Sequence, residues 1–459
     1  MTMEATSKGF RLTHGEHEHT RELYATKVEN GSSYTVHVLT SEEPGNIQGM
    51  YGLKAVVAHP ESGAFRSYPL FRAKVGDSYA ADSLAKAYGF VDDHTLLYIA
   101  AKNDEEAPNE HYYSAEKLDI LTGEKTVLIP RIQEFDELAP PEHFAKGWLT
   151  ENKEKLMLNS YMEGKLWSID TASGEMRLLP TKANHHWPFF MTSVSPDGER
   201  IWHFDSENSR FVLMDHAGTI RNAFSFPSES AREQYGWFFW SPNGTYAAHY
   251  SSPDASVNPI LQEDSEFVTR AMDRISFYDR DGNGRHVAFD KSSGPYVDAA
   301  GWLGKNDEYA VLRFYGVEEM NGVQTPVEEK YVLYELSTGE SVALKETANE
   351  HERGDLEPVI SYQSRPGVAP PLLLVDREAK AIVKLNERGA WIPDDDQSNG
   401  TRKAWIRQDE TDGSAALLWT MDGSFGDLKE VAIESGTDEA VLAGESWIAL
   451  PDLTFIRLD

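Results

Sequence analysis

The chain has 459 residues, with 43 Lys and Arg against 75 Asp and Glu and a formal charge of −32, a surface that repels DNA, RNA and anionic membranes. Hydrophobic residues make up 40% and aromatics 11%, enough for a large core and too much for an acidic disordered polymer. The absence of cysteine excludes disulfides, thiolate zinc sites, iron–sulfur clusters, thiol nucleophiles and a lipidated cysteine anchor.

Along the chain, Met1–Phe10 lacks the charged start and apolar stretch of a secretory leader, and no apolar run reaches the roughly 18 residues of a membrane span. A soluble chain is expected. Residues 1–50 are polar, with GEHEH and ENGSS, and read as an N-terminal extension carrying one hairpin from Glu22 to Leu39. From residue 51 a two-part unit repeats. Its first hairpin places a Gly or Ser beside an aromatic or β-branched residue, then a polar turn, then an apolar strand; it starts at Gly89, Gly147, Thr192, Phe238, Gly301, Val359, Ala404 and Ser446. The second reads strand, Asp or Glu, turn, strand, and starts at Leu53, Lys117, Leu166, Phe211, Ile275, Tyr331, Ala381 and Leu428. The repeat of about 51 residues is close to the roughly 40–50 of a propeller blade. The last unit stops after its first hairpin and the Leu53 hairpin has none before it. Trp447–Leu458 is therefore expected to pair in one sheet with Leu53–Leu70. This closes a single all-β propeller over residues 51–459, with eight blades or, as the alternative, seven.

Ser193–Ile201 (SVSPDGERI) and Trp240–Tyr246 (WSPNGTY) resemble the SPDG-type repeat of TolB-like and WD40-like propellers. The resemblance implies the fold only. Periplasmic scaffolds, the propeller halves of peptidases and polysaccharide lyases all share that repeat, so it transfers no catalytic residue. A serine hydrolase is not expected, because the chain lacks a Gly-x-Ser-x-Gly elbow and room for a hydrolase domain.

In such an architecture the turns inside hairpins share one face and the links between hairpins share the other. The turns are short and generic, such as Asp197-Gly198 and Asn243-Gly244. The links at Lys102–Ala115, Ser251–Arg274 and Gly316–Glu329 are long, and function concentrates on long connections. The candidate ligand-binding face therefore carries Tyr112, Tyr113, His143, His185, His186, Trp187, Tyr235, Tyr296, Asp298 and His351. Neutral imidazoles of His143, His185, His186 and His351 are of the type that converges on a divalent metal, although no His-x-Glu or HExxH spacing pairs two of them locally. Asp279, Asp281, Asn283 and Asp290 match an EF-hand calcium loop in spacing. Their flanks alternate as strands, Asp281-Gly282 is a hairpin turn, and the last position is Asp in place of Glu, so a plain hairpin is the expectation.

Two functions stay open. One is a bacterial binding or scaffold protein, extracytoplasmic or at the cell surface with cytoplasm as the alternative, taking a protein, carbohydrate or small ligand and no nucleic acid. The other is a metal-assisted polysaccharide lyase or hydrolase. Only the second calls for a cofactor, a divalent metal. Oligomeric state is not legible.

Overall fold

The computed structural model describes residues 1–15, 18–28, 31–42, 50–74, 85–103, 111–132, 147–159, 166–179, 192–205, 208, 210–225, 236–251, 274–286, 296–304, 306–320, 323–347, 356–359, 371–391, 403–408, 414–420, 429–433, 440–443 and 446–458. Every regular element among them is a strand. The chain divides into two compact units, one of residues 1–161, 166–178 and 389–459, the other of 162–165 and 179–388.

The first unit begins with the hairpin β1 (Thr2–Thr6) and β2 (Gly9–Thr13). Three four-stranded antiparallel meanders follow. They are β3 (Glu18–Lys27), β4 (Ser33–Glu42), β5 (Met50–His59), β6 (Ala64–Lys74); then β7 (Ala85–Phe90), β8 (Thr95–Asn103), β9 (His111–Asp119), β10 (Lys125–Ile129); then β11 (Gly147–Leu149), β12 (Lys155–Asn159), β13 (Leu166–Asp170), β14 (Met176–Leu178).

The second unit continues the pattern with β15 (Thr192–Val194), β16 (Arg200–Asp205), β17 (Arg210–Asp215), β18 (Ile220–Ser225), and with β19 (Gly236–Trp240), β20 (Tyr246–Ser251), β21 (Arg274–Asp279), β22 (Gly284–His286). A third meander is β23 (Tyr296–Leu303), β24 (Tyr309–Met320), β25 (Val323–Glu335) and β26 (Ser341–Glu346). After it come β27 (Glu357–Pro358), β28 (Pro371–Asp376) and β29 (Ala381–Trp391), antiparallel to one another, with β29 parallel to the end of β26. The chain then returns to the first unit as β30 (Lys403–Gln408), β31 (Ala415–Thr420), β32 (Lys429–Ile433), β33 (Val441–Ala443), β34 (Trp447–Ala449) and β35 (Thr454–Arg457).

Middle strands are buried on both faces and so read as continuous apolar runs. Leu96 through Ala101 of β8 are all buried, within a core that also takes Leu53, Val57, Tyr88 and Leu156 from the neighbouring sheets. In the second unit, Trp202, Phe211, Phe238 and Tyr278 join two sheets, with Trp202 stacked on Phe238 at 4.4 Å and His249 stacked on the same ring at 4.4 Å.

Hydrogen bonding explains the recurring acid before the second turn of each unit. Asp119, Asp170, Asp215, Asp279 and Asp376 each accept backbone N–H groups from two to four residues ahead, closing the turn with their own side chains. The SPDG turn is built similarly. Ser195 Oγ donates to Asp197 at 2.6 Å and accepts from Arg200 N at 2.9 Å, and Arg280 of the next sheet donates to Asp197 at 2.6 Å. In the SPNG turn the side chain is Asn243, and the carboxylate comes instead from Asp307 of the following sheet, which accepts from Ser241 Oγ at 2.6 Å and Asn243 Nδ2 at 3.0 Å.

Three expectations are corrected. Residues 2–42, expected as an extension with one hairpin from Glu22 to Leu39, supply β1 to β4; that hairpin is present as β3–β4, and it is the first hairpin of the sheet that holds Leu53–Leu70. The C-terminal hairpin β34–β35 therefore does not pair with Leu53–Leu70; it pairs with β2, Phe10 opposite Phe455, in the order β1-β2-β35-β34-β33. Second, the hairpin expected from Leu428 is split: β32 pairs with β31 and β33 with β34. Third, Ala381–Trp391 is one strand, because its partner β28 extends the ladder to Pro371 opposite Arg388.

Candidate ligand-binding site

The first strand of each meander begins where the chain arrives from the preceding sheet, so the opening residues of β3, β7 and β23 lie at the link end of their sheets. Apolar residues fill most of β7 and β23, where a charged residue is an exception that costs desolvation, whereas β3 is largely polar. In the first unit, Arg21 and Glu22 of β3 lie beside β7, with Arg21 Nη1 donating to the Ala85 carbonyl at 3.3 Å and Arg21 Nε 3.5 Å from Glu22. The Lys86 ammonium lies over the Tyr88 ring at 5.5 Å. Burial lowers the Lys86 pKa, with Glu22 opposing and Arg21 reinforcing the effect. Tyr88 is buried at 7% exposure, and close approach of its ring requires Gly147 at the start of β11, where a Cβ would lie 2.4 Å from Tyr88 Cε1.

A second cluster stands at the same end of β8 and β9. Glu116 accepts from Tyr98 Oη at 2.5 Å, Ser114 Oγ at 3.0 Å and Lys102 Nζ at 2.5 Å. Burial would raise its pKa, but these donors outweigh burial and hold it below the usual carboxylate range. In the second unit Glu329 accepts from Lys384 Nζ at 2.5 Å, Tyr331 Oη at 2.9 Å and Arg313 Nη1 at 3.3 Å, while Arg313 lies over the Tyr315 ring at 5.0 Å. Its pKa too is lowered, with Lys384 and the other donors prevailing over burial. Within each unit these groups offer cationic donors, carboxylate acceptors and aromatic faces, the equipment for recognising a polar ligand.

Of the residues expected at the site, Tyr296 and Asp298 lie on β23 opposite Tyr315 and Arg313, at the link end of that sheet. Tyr112 and Tyr113 belong to strand β9 and not to a loop. Tyr113 is buried in the core, and the Arg131 guanidinium lies over the Tyr112 ring at 5.2 Å. His143, His185, His186, Trp187, Tyr235, His351 and Asp290 lie outside the described residues. In the calcium-like turn, Asp279 accepts from the N–H groups of Asp281 and Asn283 at 2.9 Å each and from Asn283 Nδ2 at 2.8 Å. Among the described residues no three His, Asp or Glu side chains gather to hold an ion.

The link Gly316–Glu329 is also not a loop. β24 and β25 continue as a paired ladder from Gly316 opposite Val327 to Met320 opposite Val323, past a bulge at Phe314–Gly316. Motif reading missed Arg21, Glu22, Lys86, Arg313 and Lys384. For Lys86 and Arg313 the signal was available, a charged residue inside an otherwise apolar run, AKAYGF and YAVLRFYG; the polar string EHTRELYATK gave none for Arg21 and Glu22. The turn face is not featureless either, since a cleft in the second unit opens beside Asn243 and Asp307.

No family model and no curated protein matches the chain. Among solved structures, the β-propeller domain of the trilobed protease from Pyrococcus furiosus is 12% identical over 92% of this chain and 98% of its own, with a TM-score of 0.31. Oligogalacturonate lyase from Vibrio parahaemolyticus is 11% identical over 88% and 97%, with a TM-score of 0.35. A chain of the mitotic checkpoint complex is 10% identical over 79% and 84%, with a TM-score of 0.37. Likeness at this level assigns neither a family nor an activity.

Proposed function

We propose that the protein is a bacterial propeller-type binding or scaffold protein, acting outside the cytoplasm or at the cell surface, whose link-side face takes a ligand or protein partner. One observation supports this above all. Charged and aromatic side chains recur at the link ends of the sheets: Lys86 within the otherwise apolar β7, beside Arg21 and Glu22, in one unit, and Arg313 within the apolar first part of β24, beside Glu329 and Lys384, in the other. Well-packed apolar residues would serve stability at least as well at such positions. Recognition of a polar group gives these charges a reason to be there.

The test compares the two faces. Immobilised full-length protein is exposed to extract of its host, and the retained species are identified by mass spectrometry. Arg21→Gln with Lys86→Met, or Arg313→Gln, should release them, whereas the turn-side changes Glu124→Gln and Glu175→Gln should not. Species released by turn-side changes alone would refute the reading.

A further inference from the structure

The turn side of the second unit holds a cleft of about 320 Å3, bounded by the SPNG turn between β19 and β20, the β23–β24 turn, and the ends of β27 and β28. That volume falls at the small end of the range for ligand pockets. We propose that this cleft binds a small organic cation, an alkylammonium, with its alkyl part against Pro242 and Pro358 and its charge beside Glu357, in the field of the buried Asp307.

The walls carry the first part of the argument. Pro242 and Pro358 present apolar surface, with the buried Trp302 and Leu303 behind them, which suits an alkyl chain and is a poor cage for a strongly hydrated metal ion. Charge carries the second. Two carboxylates line the cleft against one guanidinium, and that guanidinium is already engaged. Arg377 donates to Glu357 through Nε at 2.8 Å and Nη2 at 2.5 Å, and lies over the Tyr309 ring at 5.2 Å. Both bonds fall on Glu357 Oε1. Among the described residues nothing donates to Oε2, which keeps its acceptor capacity for a ligand N–H.

Asp307 deepens the negative potential. It is 1% exposed, and the donors that satisfy it are neutral: Ser241 Oγ at 2.6 Å, Asn243 N at 3.1 Å, Asn243 Nδ2 at 3.0 Å and Thr245 N at 3.4 Å. Hydrogen bonds from neutral groups hold the carboxylate in place without cancelling its charge. Around the cleft, the −32 charge of the chain draws cations toward any such opening and repels anions.

Titration calorimetry of the full chain with n-butylammonium chloride, n-butanol and sodium butyrate at fixed ionic strength tests this directly. The ammonium should saturate a site, and the isosteric alcohol and the anion should not. Two substitutions should then act in opposite directions. Glu357→Gln removes the facing charge and should weaken butylammonium about fivefold, the worth of one partly exposed charge contact. Arg377→Gln removes the competing cation and should tighten it by a similar factor. Added salt should weaken binding in the wild type. Equal binding of alcohol and ammonium, no saturable binding of the ammonium, or the same direction of change in both variants would overturn the proposal. Thermal unfolding establishes that each variant is folded, and the wild-type comparison of ammonium with alcohol decides without any variant.

Discussion

Phe10→Ala is the sharpest probe of how the termini join. Phe10 is 7% exposed, stacks on Phe455 with ring centres 4.6 Å apart, and meets Trp447 edge-on at 5.6 Å. Truncating a buried phenylalanine costs about 3–5 kcal/mol, and here the cavity would open between β2 and the C-terminal strands it completes. Gly9→Ala attacks the same junction without removing apolar surface, because a Cβ at residue 9 would lie 1.9 Å from the Phe455 carbonyl oxygen and must push the strands apart. Urea unfolding reads the energy, and hydrogen exchange reads the place. The Arg457 N–H donates to the Lys8 carbonyl at 2.8 Å, so both variants should accelerate its exchange well before global unfolding. Unchanged unfolding in Phe10→Ala together with a protected Arg457 amide would refute the pairing of β2 with β35.

Three further outcomes follow from the interior. His37 is fully buried, its Nε2 is 2.9 Å from the Leu450 carbonyl oxygen, and its Nδ1 has no hydrogen-bond partner among the described residues; burial depresses its pKa to about 4, against the partly opposing Leu450 bond and Asp452. The unfolded chain therefore takes up the proton first as pH falls below about 6.5, and this group's contribution is complete above that pH, declines toward pH 4, and is down by about 2 kcal/mol at pH 5. His37→Gln should flatten that part of the stability profile measured by urea titration, and an unaltered profile would rule His37 out as its source. Asp279→Ala should cost about 1 kcal/mol through the turn bonds it accepts, whereas Asp281→Ala, whose side chain is exposed, should cost close to nothing; calorimetry with calcium and with chelator should give one midpoint, and a calcium-dependent rise abolished by Asp279→Ala would assign the ion instead. Asp307→Ala strands the Ser241 hydroxyl and the Asn243 amide in a buried turn and should cost about 2–4 kcal/mol by chemical denaturation, a loss below 1 kcal/mol being incompatible with its role as the carboxylate of that turn.

Strand pairs with a strong local signal were legible. SVSPDGERIWHF and FVLMDHAGTIRNAF place Gly198 and Gly218 at φ of 73° and 83°, in turns between apolar runs, and those runs became β15–β18. What failed were assignments that depend on pairing across long sequence separations. Residues 18–27 look polar because β3 buries few of its side chains deeply, Leu23 being the exception, while β4 buries Val36, Val38 and Leu39 completely. Read as an extension, they left Leu53–Leu70 without its first hairpin and made it the spurious partner for the C-terminus. The true partner, GFRLT, spans only Gly9–Thr13, too short for periodicity to separate from coil.

The same distinction explains why motif reading found the turns and missed the charges that could recognise a ligand. At Asp197 the turn carries its own carboxylate and borrows a cation, Arg280, from the next sheet; at Asn243 the turn is neutral and borrows the carboxylate itself, Asp307. Two nearly identical strings thus have opposite electrostatic neighbours. Those neighbours lie 83 and 64 residues away in sequence, so the turn sequence alone cannot name them. Asp307, held at the wall of the cleft, belongs to a turn in one reading and to a binding surface in the other, and the structure lets it do both. A carboxylate kept in place by four neutral donors needs no cation to stay folded, and it keeps its charge at the wall of the cleft.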